Sequence, residues 1–288
     1  MLGIIAILVT FGTVFGGFVG EGGKLAIIIH ALPFESVMLL GATFGAFLLA
    51  NKGDVIKGVG RNIKKVFKGP KWKGDDYKDL LCLLFGLLKL IRTKGMIVIE
   101  QHIEKPEESG IFQQYPRILH DHFAVEFICD TLRMMTMNFE DPHQVENMMD
   151  GQLEKHHHEL HQFSHAIQTV ADGVPAIGIV VAVLGVIKTM GSINAPVEIL
   201  GEMIGGALTG TFLGVFFAYT LFGPMSSKMG QCFDQEHQFY MIIRAVLVSH
   251  LYGNAPQVSV EIGRGNIPTI YQPSFIEMEE KLQTISFA

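Results

Sequence analysis

Apolar residues in this chain gather into runs. The first run covers about Leu2 to Val19 and the second about Phe34 to Ala50. A polar stretch follows, from Asn51 to about Asp172. A third run opens near Val174 and stays apolar up to Lys188, and a fourth extends from about Met203 to Phe222. Each run is near the ~20 residues that cross hydrocarbon as a helix. The connections GEGGKLAIIIHALP and GSINAPVE are short. The pattern predicts an all-α membrane protein with four transmembrane helices in two pairs and a large helical domain between spans two and three. The expected division is residues 1–50 for spans one and two, 51–173 for the helical domain, 174–224 for spans three and four, and 225–288 for a C-terminal helix and tail.

Helical periodicity returns inside the polar stretch. DYKDLLCLLFGLLKLI and FAVEFICDTLRMMTM each read as buried amphipathic helices. HQVENMMDGQLEKHHHELHQFSHAIQTVADG reads as one helix feeding the third span without a break. Asn51 to Lys68 alternates lysines with Val55, Ile56, Val59, Ile63 and Val66, the pattern of a basic helix lying on anionic lipid. Residues after Pro256 read as a loose tail closed by a short acidic helix over Ser274 to Leu282.

Composition agrees with the spans: 49% of the 288 residues are hydrophobic and 17% are charged. MLGIIAILVTFGTVFGGFVG lacks a basic leader region, so it reads as a retained helix. Lys52, Lys57, Arg61, Lys64, Lys65, Lys68, Lys71 and Lys73 follow the second span, whereas the short turns carry little beyond Lys24. The positive-inside rule then places the long segment and both termini in the cytoplasm. Cys82, Cys129 and Cys232 are odd in number and far apart, which argues against a disulfide framework or a zinc site. The net charge of −6 argues against nucleic acid as a partner.

Two prolines sit at span ends. Pro175 frees the carbonyl of Ala171, and Pro224 that of Thr220. With the third helix running outward and the fourth returning, both are expected near one depth, as a hinge ring or as simple helix stops. GGALTGTFLG brings Thr209, Thr211 and several glycines into the fourth span. Small residues there allow close helix approach, and the hydroxyls either line a polar path or bond back to their own helix. Glu35, Glu198, Glu202 and Lys188 are expected at span ends on the outer side. A cation conduit needs an intramembrane carboxylate, so a partner chain is expected to bring one.

His157, His161 and His165 follow i, i+4, i+8 spacing and, with His156 and His158, raise a metal reading. No cysteine or acidic partner is arranged to close such a site, so a hydrophilic, pH-sensitive helix face is the plainer expectation. The sequence holds no catalytic dyad, and KGPKWKGD lacks phosphate-loop spacing. The chain is therefore expected not to be an enzyme and to carry no cofactor.

The blocks GTVFGG, YKDLL, RTKGMIVIEQHIEKPEES, IFQQYPRIL, VPAIGIVVAVLGVI, GTFLGVFFAY, VEIGR and PSFIEMEE, in this order, resemble the MotA family of bacterial flagellar stator subunits over nearly the whole chain. The resemblance implies a ring of five subunits in the cytoplasmic membrane around two copies of MotB, each supplying an essential aspartate. It also implies that ion flow turns the ring and pushes the rotor protein FliG. Arg92 and Glu100 match the rotor-facing charges, and Pro175 and Pro224 the two functional prolines. Thr211 matches a threonine beside the ion path, whereas Ala182 stands where sodium-driven relatives have a further threonine. That alanine points to protons as the transported ion, with sodium the alternative because Thr209 adds a nearby hydroxyl. The related ExbB and TolQ transducers differ in placing one span, not two, before the cytosolic part.

Overall fold

The computed structural model describes residues 2–137 and 141–285, and every described element is helical. The chain divides into two compact units, one of residues 1–69 with 159–232 and one of 70–158 with 233–288. Four helices are long and apolar enough to cross a membrane.

The first unit holds α1 (Leu2–Gly20) and α2 (Leu25–Ala50). Helix α2 begins nine residues before the expected span. Pro33 lies inside it and does not end it. A proline costs one ladder hydrogen bond, but an apolar run on both sides leaves the chain no cheaper way to satisfy its other peptide groups in lipid. The connection therefore shrinks to residues 21–24, where Gly22 takes a positive φ of 85°. Helices α3 (Gly53–Asn62) and α4 (Lys65–Lys68) follow. The apolar face of α3 packs on protein as well: a Cβ on Gly58 would meet the Phe163 ring, and Val59 is buried. The reading of this segment as a helix simply resting on lipid is thereby corrected.

Helix α9 (Pro142–Met190) is a single run through Pro175, as the sequence predicts. Helix α10 (Val197–Phe217) passes through a π turn at Ala218–Phe222 into α11 (Gly223–Leu251). Edge-on pairs of Phe11 with Phe216, at 4.9 Å, and of Phe15 with Phe212, at 5.8 Å, dock α1 on α10.

In the second unit, α5 (Gly74–Lys94) is buried on nearly every side, with Leu80, Leu81, Leu83, Leu84, Leu87 and Leu88 fully enclosed. Its start is fixed by Asp76, whose carboxylate accepts the Lys73 N–H at 2.7 Å. Gly95, at φ 85° and ψ 170°, ends it in a conformation open essentially to glycine alone. Short helices α6 (Glu100–Glu104) and α7 (Pro116–Leu119) lead to α8 (His122–Thr136). Asp121 caps α8 by accepting the Ala124 N–H at 2.7 Å. The same carboxylate takes Lys71 Nζ at 2.5 Å and the Tyr240 hydroxyl at 3.2 Å. Beside it Trp72 stacks on Phe239 at 3.9 Å.

The expected tail is ordered. Helices α12 (Pro256–Gly265) and α13 (Phe275–Gln283) return to α5, with Val260 and Met278 in the core. Pro256 marks the first turn of α12 rather than the start of a coil, because a proline at that position lacks only an N–H the helix would not use.

Candidate functional site

Two sets of residues carry the candidate chemistry, one in each unit. In the first, α9 and the α10–α11 run lie antiparallel at close range. A Cβ on Gly178 would stand 2.8 Å from the Gly210 carbonyl and 3.0 Å from the Gly214 Cα. Gly185 meets Ala207 in the same way, and the Ser226 hydroxyl donates to the Ser164 carbonyl at 2.8 Å. These contacts fix the register.

That register overturns one expectation. Pro175 falls level with Phe216, whereas Pro224 falls level with Ile167, a separation of about 12 Å at helical rise. The prolines do not form one ring. The two helices are offset, so Pro224 lies eight residues beyond the level of Pro175. Pro175 is half-buried and Pro224 exposed. The backbone before Pro224 widens into the π turn, where the Gly223 N–H reaches back five residues to Ala218. Such a turn absorbs the donor that proline removes.

Thr209 is buried and donates to the Gly205 carbonyl of its own helix at 3.1 Å. Ala182 is buried at the same level of α9, and Thr211 is half-buried. Of the two roles open to these hydroxyls, Thr209 takes the local one.

Glu35 is the residue that sequence reasoning misplaced. It is not at a span end. It lies ten residues inside α2, or about 15 Å along the axis, and only 7% of it is exposed. Helix α2 runs beside α10 through Ile27 at Gly205, Ala31 at Gly206 and Glu35 at Gly210. Treating Pro33 as a boundary hid this. The signal was present in LAIIIHALPFESVMLL, which is apolar on both sides of the acid. Glu198 and Lys188 do lie in the terminal turns of their helices.

In the second unit, Arg92 and Glu100 are both exposed, one in the last turn of α5 and the other at the start of α6. Gly95 turns the chain between them, and Ile97 beside them is 82% exposed. Nearby, burial and then the charge of Lys94 lower the pKa of His102, whose Nδ1 sits 2.8 Å from Ser109 Oγ. Burial also lowers that of His250.

The histidine face is less uniform than expected. His156 stacks on Phe123 at 3.6 Å, and His157 Nε2 meets Asp234 at 3.0 Å. His158 and His165 are exposed. The solvated-face reading therefore holds for the latter two and fails for His156, which packs as an aromatic.

Residues 4–95 match the family described as Motility protein A N-terminal, and residues 120–241 the MotA/TolQ/ExbB proton channel family. Motility protein A of Escherichia coli is 37% identical over 285 residues, covering 99% of this chain and 96% of that protein. Chemotaxis protein LafT of Vibrio parahaemolyticus is 34% identical, covering 98% and 97%. The fold resembles the structure of the flagellar MotAB stator complex from Bacillus subtilis with a TM-score of 0.71 at 20% identity, covering 96% of this chain and 98% of that one. Against C. jejuni MotAB the TM-score is 0.73 at 18% identity, covering 93% and 95%.

Proposed function

The chain belongs to the Motility protein A family, and we propose that it is the membrane stator subunit of a flagellar motor, forming with MotB a channel whose ion flow becomes torque on the rotor. The observation that carries this is full-length kinship on a chain with four membrane-length apolar helices.

Finer parts of the reading draw on residue chemistry for the ion and on the family resemblance for the subunit count, the MotB aspartate and the rotor contact. Protons are the transported ion. Ala182 offers no hydroxyl where a sodium path would gain one, so Thr211 and the back-bonded Thr209 are the hydroxyls this stretch supplies toward replacing the hydration shell of sodium. Five copies surround two MotB chains in the cytoplasmic membrane, with both termini on the side of the lysine-rich segment. Each MotB chain contributes an aspartate. Arg92 and Glu100 face FliG, where opposite charges steer approach and set register. Their exposure on either side of Gly95 supports this role. Pro175 passes the protonation state of the MotB aspartate into α9.

The test is complementation. Expressed with a MotB-type partner in a stator-less flagellated strain, the chain restores swimming. Arg92→Glu and Glu100→Lys each reduce it at unchanged membrane abundance. Failure of the unaltered pair to restore swimming would count against the stator reading, and normal swimming of both variants against the rotor contact.

A further inference from the structure

Glu35 has no partner for one of its carboxylate oxygens. Its Oε2 is buried and makes no hydrogen bond, although an intramembrane carboxylate is costly wherever it has no function. The space for it is made by glycine: a Cβ on Gly210 would stand 2.7 Å from Oε2. The carboxylate borders a cavity of about 450 Å³ shared by α2, α9 and α10. Lys24, His30, Lys188, Thr189 and Glu202 line the same cavity. Apolar groups such as Ile27, Phe34, Ile199 and Met203 complete the lining, so the cavity is mixed in character, and its volume is ample for several waters, each taking about 30 Å³ in the liquid.

These features set Glu35 apart from the other acids of the membrane helices. Glu198 and Glu202 lie in the first two turns of α10 and are exposed. Glu35 is level with Gly210 and Val181, well inside all three helices. Around the cavity, Lys188 from α9, Lys24 from the turn before α2, and His30 from α2 are basic. Glu202 from α10 is the other acid. A carboxylate bordering a mixed-charge cavity large enough for water is placed to exchange one proton with water that enters it. The proton leaves hydronium for Oε2, giving a neutral carboxyl and a water molecule, and returns to water by the reverse step.

We infer that Glu35 is a proton-binding station belonging to this chain, loaded from the cavity before the proton passes to the acid of the partner. The inference rests on the proton-channel reading for its role in flux, but the protonation of Glu35 itself does not. Two measurements separate them. Infrared pH-difference spectra of the full chain in liposomes are expected to show a protonated-carboxyl band that Glu35→Gln removes and that Glu35→Asp retains in shifted form. Proton flux through the chain co-reconstituted with a MotB-type partner is expected to fall about a hundredfold in Glu35→Gln, the low end of what a lost proton-transfer group costs, and to recover in large part in Glu35→Asp. An unchanged infrared difference in Glu35→Gln would overturn the station. Equal flux in the unaltered and Glu35→Gln complexes would overturn its place in the path. A complex that conducts nothing when unaltered would instead strike the channel reading and leave the infrared result to decide on Glu35.

Discussion

Gly178 faces the backbone of the opposing helix at close range. Its neighbours are the carbonyl of Gly210 and the Cα of Gly214, and backbone atoms cannot rotate aside as a side-chain tip can. Gly178→Ala is expected to cost about 1–3 kcal/mol, the range for overpacking a tight contact. Gly151 lies on the same helix with nothing within 4 Å of its would-be Cβ. Gly151→Ala is therefore expected to be neutral or stabilising. Thermal midpoints of the two variants in detergent check the contrast. His102 and His250 supply a second residue-scale expectation. Burial holds both below the ordinary histidine range in the folded chain, so the unfolded chain binds protons more readily. Stability is fullest above the unfolded value near ~6.5 and falls as pH drops through it, levelling once the folded groups also protonate. Trp72, the one tryptophan, is buried in the same unit and reports its unfolding. Its fluorescence melt should shift down between pH 7.5 and 5.5, and less so in a His102→Gln, His250→Gln double variant.

Elements were unevenly legible in the sequence. The leucine-dense α5 and the long α9 were readable because strong apolar periodicity outweighs local breakers. The start of α2 was not readable, since Pro33 imitates a stop and only the absence of water beside the helix makes continuation cheaper. Helix α12 was hidden for a related reason: Pro256 begins it. The site residues had a similar fate. Arg92 and Glu100 were singled out by the family resemblance, and the fold leaves both exposed on either side of Gly95. The offset between Pro175 and Pro224 depends on interhelical register, which glycine contacts set and local pattern does not encode, whereas the depth of Glu35 follows from the start of α2 that Pro33 disguised. Pro175 supplies the prediction at this scale. It lies within an unbroken helix, so Pro175→Ala restores one backbone bond and should leave assembly with a MotB-type partner intact while impairing rotation. Co-purification and swimming speed, measured together, check it. Normal swimming in that variant would count against a coupling role.

At the scale of the whole molecule, the apolar segments of the four membrane-length helices hold, among the described residues, one buried acid, Glu35, and no continuous chain of acids. This chain therefore forms half of a conduit in the proposed stator, and a partner supplies the remaining carboxylate. Proton flux into liposomes, compared between the chain alone and the chain with a MotB-type partner, tests that division most directly. Flux is predicted only when both chains are present. Selective conduction by the chain alone would contradict it.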